Sequence, residues 1–260
     1  MSFDSIAPYY RWIETIVFGN ALQRARIYWI DAIPHPKRAL IVGEGNGRFL
    51  CELLRVHPKI DIDCIDASER MLQLTRSRVR RTHPESLAHV RFFHQNILNW
   101  SPRHSYDLLV THFLLDCFES EKLELIVAKL AETARQNAVW LIADFTLPKE
   151  HFARAHATLW LRVMYAFFRL TARIKAKKLV DPTPYLEANG FIRTSMKLSR
   201  WRMLRADVYA AAISSGNPAT EMASKSFQSR SQRETPTHPR RSPEKRRGEM
   251  ACPYTGFESS

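Results

Sequence analysis

The stretch ALIVGEGNGRFL, residues 39–50, sets Gly43, Gly45 and Gly47 at alternate positions between a short apolar run and a segment with apolar residues at helical spacing. That order reads as strand, tight turn, helix, and it restricts the chain to folds built from such units. Glycines at the carboxyl end of a strand let a ligand lie against the main chain. The helix that follows offers its first amides to a negative group. A plain structural reading stands beside this one, in which the glycines serve only a tight turn and close helix packing.

The rest of the chain repeats the alternation. Ile6, Tyr10, Ile13, Val17 and Ala21 give residues 3–31 helical spacing, and residues 1–36 read as an N-terminal helical cap. RALIVG is a strand, followed by a helix carrying Phe49, Leu50, Leu53 and Leu54. IDIDCID is a second strand, and SERMLQLTRSRVRR a helix that Ser68 can cap. VRFFHQ, YDLLVTHF and AVWLIADF are further strands, with a helix over roughly 118–135 before the last. Residues 150–178 read as a long helix, and FIRTSMKL with WRMLRADVYAA as a closing hairpin. The expected fold is α/β, a Rossmann-like seven-stranded, mostly parallel sheet with helices on both faces, over residues 37–213.

From residue 214 the composition turns to Ser, Pro, Thr, Gln and Arg. Such a segment buries too little apolar surface to offset its ordering entropy, so residues 214–260 read as a disordered basic tail. The tail holds eight Lys and Arg against five Glu, a charge of +3, and leaves +10 of the total +13 to the body. That charge is spread along helices and forms no aromatic-basic motif, so nucleic acid is not the expected partner. No apolar run approaches the ~20 residues of a membrane-spanning helix, and MSFDSIAPYY lacks the layout of a secretory signal. Cys51, Cys64, Cys117 and Cys252 form no CxxC pair, which supports neither a metal site nor a disulfide framework. A reducing cytoplasm is the expected compartment.

Asp66 ends the second strand, 19 positions after Gly47. A carboxylate there can accept two hydrogen bonds from a ribose diol. Loop and carboxylate together specify an adenosine-containing ligand, and both NAD and S-adenosylmethionine qualify. The dinucleotide fingerprint is GxGxxG, whereas this loop is GxGxG followed by Arg48, which disfavours NAD.

In order and spacing, LIVGEGNGRFL, CIDASERML, VRFFHQNIL and YDLLVTHFLLD resemble the motifs of class I S-adenosylmethionine-dependent methyltransferases. FDSIAPYYRWIE is similar to the N-terminal cap of the ubiquinone/menaquinone-type small-molecule enzymes. The resemblance covers roughly residues 3–212. It implies that Gly43, Glu44, Gly45 and Gly47 wrap the methionine part of the cofactor and that Asp66 binds the ribose. Ala67 and Met71 would lie beside the adenine, Asn96 would accept from its amino group, and Ile97 would give its backbone N–H to the ring. Thr111 would pass near the sulfonium, and Tyr10 would close over the cofactor. One position departs from the pattern: Ile41 stands two residues before the first glycine, where the family often has an acid.

Methyl transfer needs alignment and a deprotonated acceptor, so catalytic residues leave a faint trace. THFLLDCFES offers His112 as a general base and Asp116 to orient an acceptor. Each has a structural alternative: a strand-end histidine with a satisfied hydrogen bond, and a capping box of Asp116 with Glu119. Asp144 and Phe145, ending the fifth strand, face the same crevice. In residues 150–178, Trp160, Met164 and Phe167 lie on an apolar stripe opposite Arg154, Arg162, Arg169, Arg173 and Lys177. This is either an ordinary packed helix or a lid that lines a substrate pocket and turns its basic side to an anionic membrane surface. The leading expectation is methyl transfer to a small, mainly apolar acceptor such as a quinone precursor, a polyketide-like acid or a lipid. An RNA or protein methyltransferase is the alternative, although no NPPY-type tetrapeptide follows the fourth strand. A catalytically silent cofactor-binding scaffold is the second alternative.

Overall fold

The computed structural model describes residues 20–102, 104–146, 180–199 and 202–212. The described strands are β1 (Arg38–Val42), β2 (Asp61–Asp66), β3 (Val90–His94), β4 (Tyr106–His112), β5 (Ala134–Phe145), β6 (Phe191–Leu198) and β7 (Leu204–Ala211). The helices are α1 (Ala21–Ile27), α2 (Arg48–Val56), α3 (Glu69–Thr82), α4 (Ser120–Ala131) and α5 (Thr183–Ala188). One seven-stranded sheet runs in the order β3-β2-β1-β4-β5-β7-β6. The pairs among β1 to β5 are parallel, and β7 runs antiparallel to both β5 and β6. This is the mostly parallel Rossmann-like sheet that the alternation predicts. Of the expected N-terminal helical segment, residues 21–27 are helical, and residues 1–19 lie outside the described residues. The long segment at 150–178 and the tail beyond 213 also lie outside them.

The pleat explains the two-sided core. Ala39 and Ile41 of β1, with Val110 of β4 and Leu141 of β5, pack against Phe49, Leu53, Leu72 and Val79 from α2 and α3. Leu40, Leu109 and Trp140 point the other way, onto Leu123, Ile126, Val127 and Leu130 of α4. Strands buried on both faces read as continuous apolar runs, which is why RALIVG and AVWLIADF show no alternation. One buried polar residue of the sheet is fully paired. Asp63 of β2 accepts from Arg91 Nε at 2.6 Å and from the Tyr106 hydroxyl at 2.6 Å, tying β2 to β3 and, across β1, to β4.

Helix ends follow local chemistry with one correction. Ser68 caps α3 as expected, its hydroxyl accepting from the Met71 amide at 3.2 Å. The capping box expected of Asp116 and Glu119 does not form: α4 starts at Ser120, and Glu119 at its N-cap makes no side-chain cap bond. Asp116 lies earlier, in a 3-10 turn over Leu115–Cys117 that directs its side chain into the interior.

Candidate functional site

The glycine loop leaves β1 with three left-handed residues in five, φ being +71° at Gly43, +74° at Gly45 and +80° at Gly47. Each answers a different need. A Cβ on Gly47 would stand 2.9 Å from the Thr75 Cα, so this glycine lets α3 dock against the start of α2. A Cβ on Gly45 would meet nothing within 4 Å. Packing explains Gly47; only the turn and an open approach explain Gly45. The loop is braced from outside by Thr75 Oγ1 on the Gly45 carbonyl at 3.0 Å and by Arg78 Nε on the Asn46 carbonyl at 2.8 Å.

Two carboxylates organise this loop. Asp66, at the end of β2, accepts from the Gly45 amide at 3.2 Å and from the Ser68 amide at 2.9 Å. Glu44 folds back so that one oxygen accepts from the amides of Phe49 at 3.1 Å and Leu50 at 3.0 Å. The first turn of α2, which the sequence offers to a bound anion, is thus partly filled by the chain's own acid. The Glu44 residue is half-buried, but the helix start encloses its carboxyl group. That desolvation pushes the carboxyl up to about 7, against the lowering effect of the Leu50 amide and the Arg26 charge.

At the end of β4, His112 is buried and packs edge-on against Phe49, ring centroids 4.6 Å apart. Its Nδ1 has no hydrogen-bond partner, so the satisfied strand-end histidine is not what the fold contains. Burial pushes the imidazole well below its usual range, and the Arg26 charge adds to the shift. Phe113 follows with φ +54°, a conformation that is costly without a glycine. Its ring lies 5.1 Å from that of Phe145, and the Arg26 guanidinium stands 5.0 Å over it.

On the opposite face, Asp116 and Asp144 are both buried. Burial pushes Asp116 up to about 6. Asp144 is raised further from the carboxylate range, by burial first and by the Asp116 charge second, and neither of its oxygens has a hydrogen-bond partner. Below them Arg205 donates to Asp181 at 2.8 Å and lies 3.0 Å from Asp207, an ion pair whose angle does not make a hydrogen bond. Among the described residues no group of three or more His, Cys, Asp or Glu could hold a metal ion.

Residues 39–137 match the family described as a methyltransferase domain. The matched segment runs from β1 into β5 and includes the glycine loop, Asp66 and His112. No curated protein matches the chain. Solved structures similar to it include an O-methyltransferase family protein from Burkholderia thailandensis, at 14% identity and TM-score 0.61, covering 81% of this chain and 60% of that one. Another is the mitomycin 7-O-methyltransferase MmcR, at 14% identity and TM-score 0.61, covering 82% and 61%. The N-methyltransferase NodS from Bradyrhizobium japonicum, in complex with S-adenosylhomocysteine, matches at 14% identity and TM-score 0.50, covering 78% and 88%. The chain spans about three fifths of the length of the first two.

Among the described residues, those singled out from the sequence fall into two sets. Gly43, Glu44, Gly45, Gly47 and Asp66 form one hydrogen-bonded unit, with Ala67 exposed and Met71 buried beside it. Asn96 is exposed, its side-chain oxygen accepting from the Leu98 amide at 3.0 Å, and Ile97 is buried. Thr111 stands apart: its hydroxyl accepts from Trp140 Nε1 at 2.9 Å and faces the α4 side of the core. Tyr10, Trp160, Met164 and Phe167 lie outside the described residues. Sequence reasoning missed Gln23, Arg26, Arg205 and Asp207. The last two carried a signal, charges two apart in an apolar strand, but Arg26 reaches the site only through the packing of α1.

Proposed function

We propose that the protein transfers the methyl group of S-adenosylmethionine to a small, mainly apolar acceptor such as a quinone precursor, a polyketide-like acid or a lipid. The observation that carries this reading is the glycine loop, whose Gly45 faces open space while Asp66 holds its amide. Those residues fit the cofactor. The Asp66 carboxylate would accept from the ribose hydroxyls, the loop main chain would run along the methionine part, and Met71, Asn96 and Ile97 would surround the adenine. The bound cofactor supplies an already activated methyl group, so the chain has to align the acceptor and take its proton.

Of the two catalytic candidates, Asp116 is better matched to that task. Its carboxyl, pushed up to about 6, sits near neutrality, where a general base both ionises and holds a proton. His112 stays neutral, and the Arg26 charge opposes any proton it takes up. Phe113, Phe145, Leu22 and Leu204 form an apolar cluster at the same strand ends, suited to an apolar acceptor. The names of MmcR and NodS support small-molecule chemistry on oxygen or nitrogen. Among the described residues Cys51, Cys64 and Cys117 are free, which suits a reducing cytoplasm.

The net charge of +13 is the one observation favouring RNA. Labelled S-adenosylmethionine offered with lipid extract and with total RNA in parallel separates the readings. Label is expected in the lipid fraction, and label in RNA alone would overturn the proposal. Calorimetry is expected to show binding of S-adenosylhomocysteine and none of NAD, with Asp66→Ala weakening it by about 1.5–3 kcal/mol.

A further inference from the structure

Resting on the acceptor reading above and narrowing it, we propose that Asp144 of β5 and Asp116, in the turn after β4, form a subsite for a protonated amine. The acceptor then joins a basic nitrogen to its apolar body, and the ammonium group supplies a positive charge that the surrounding side chains do not.

The strands fix where the two acids stand. Asp144 lies directly opposite Arg205 in the β5–β7 register. Just before it, the Ala143 carbonyl accepts from the Phe113 amide at 2.7 Å, which pins the start of the turn carrying Asp116 to the end of β5. The Cys117 thiol closes that turn, 3.8 Å from the Phe113 carbonyl oxygen and 3.6 Å from Asp116 Oδ1. Asp144 feels the Asp116 charge, and the thiol feels both.

The charges gathered here do not balance. Arg205 donates to Asp181 at 2.8 Å and lies 3.0 Å from Asp207. Arg193, exposed on β6, reaches Asp207 by its charge. Two guanidinium groups therefore stand among four carboxyls, and neither bonds to Asp144, which is 1% exposed with no hydrogen-bond partner on either oxygen. Neighbouring buried carboxyls cannot both ionise, and in the free protein burial, then the Asp116 charge, holds Asp144 well above the carboxylate range. Its proton cancels a charge but leaves a buried donor and acceptor unused. An ammonium group answers both needs, since it carries the missing charge and its N–H groups can reach two carboxyls at once. On its arrival the Asp144 O–H bond breaks, the proton leaves to solvent, and the carboxylate keeps the electron pair. An anionic ligand would meet like charge, and a plain hydroxyl would offset none. Leu114 and Phe118, on either side of Asp116, and Val180 beside Asp181 are partly exposed members of the apolar cluster on this face, which offers a wall to the rest of the acceptor.

The test uses the full chain and calorimetry at neutral pH with three probes of one shape: phenethylamine, phenethyl alcohol and hydrocinnamate. The wild type is expected to bind the amine about tenfold or more tightly than the alcohol, the scale of a hydrogen bond to a charged group, and the acid more weakly still. Repeating the amine titration in buffers of different ionisation enthalpy should show about one proton released, because the carboxyl gives up its proton as the cation binds. Asp144→Asn, equal in shape to the protonated acid, should lose both the preference and the proton release while its affinity for S-adenosylhomocysteine stays within about twofold. A wild type that binds alcohol or acid as well as amine would overturn the proposal, and that comparison requires no variant to fold. So would amine binding without proton release, or an Asp144→Asn variant that keeps the preference. Binding of S-adenosylhomocysteine with no response to any of the three probes would sink the subsite and leave the cofactor reading standing. Amine preference with proton release in a protein that ignores S-adenosylhomocysteine would sink the cofactor reading and leave the subsite.

Discussion

Gly45 and Gly47 share one backbone conformation and differ in surroundings, so an alanine at each separates two costs. At Gly45 the new Cβ enters open space, and only the left-handed φ is penalised, at about 1–2 kcal/mol. At Gly47 the same penalty is joined by collision with the Thr75 backbone, which cannot swing aside as a flexible side chain would. Overpacking adds roughly 1–3 kcal/mol. Urea denaturation should therefore rank Gly47→Ala below Gly45→Ala in stability. Calorimetry should show Gly45→Ala losing the larger share of S-adenosylhomocysteine affinity relative to its stability cost. Equal destabilisation by the two would contradict the packing role of Gly47. At this scale the sequence located Asp66 at the end of a strand, and the fold brings its carboxylate to the Gly45 amide. The sequence could not reveal Arg26, because nothing in QRAR distinguishes an arginine that turns inward from one in solvent; that depends on α1 lying against α2 and the β5–β7 end of the sheet.

For α2, the decisive element-level fact is a helix N-terminus capped from five residues upstream by Glu44. Folding raises this carboxyl from its ordinary 4.5 to about 7, so the folded protein binds the proton more tightly than the unfolded chain. Stability from this group is full below about 4.5 and is lost as pH rises to about 7. Glu44→Gln keeps an oxygen for the Phe49 and Leu50 amides and cannot ionise. Its melting temperature, measured against that of the wild type at each pH, should therefore gain steadily across this window and level off above it. A difference that stays flat or falls would show that Glu44 is not held above its usual range. The element boundaries were legible where one chemical device ends them, as Ser68 does for α3. They were misread at Asp116 and Glu119 because the capping-box spacing is also met by a 3-10 turn that carries its first acid into the core. Nor does Thr111 announce that Trp140, 29 residues on, claims its hydroxyl.

For the whole molecule, the sheet was readable because buried parallel strands are uniform apolar runs separated by helices, and β6 with β7 because a hairpin is local. The placement of Arg205 opposite Asp144 in the strand register was not, since it requires β7 to lie antiparallel beside β5. Hydrogen exchange should follow this architecture. Amides of β1 and β4, flanked by strands on both sides, should open only with global unfolding, while β3 and β6 at the two edges exchange sooner. Protection in β6 equal to that in β4 would contradict it. The strand order also bears on how the chain is born. Synthesis delivers β1 through β5 first, and the neighbour of β5 is β7, whose last residue is Ala211. Until the ribosome has released that segment, Val139, Trp140, Leu141 and Ile142 flank an unpaired main-chain edge, the kind of surface that recruits strands from other nascent chains. A translational pause between Phe145 and Leu204 would prolong that exposure, making this interval the one in which a chaperone matters most.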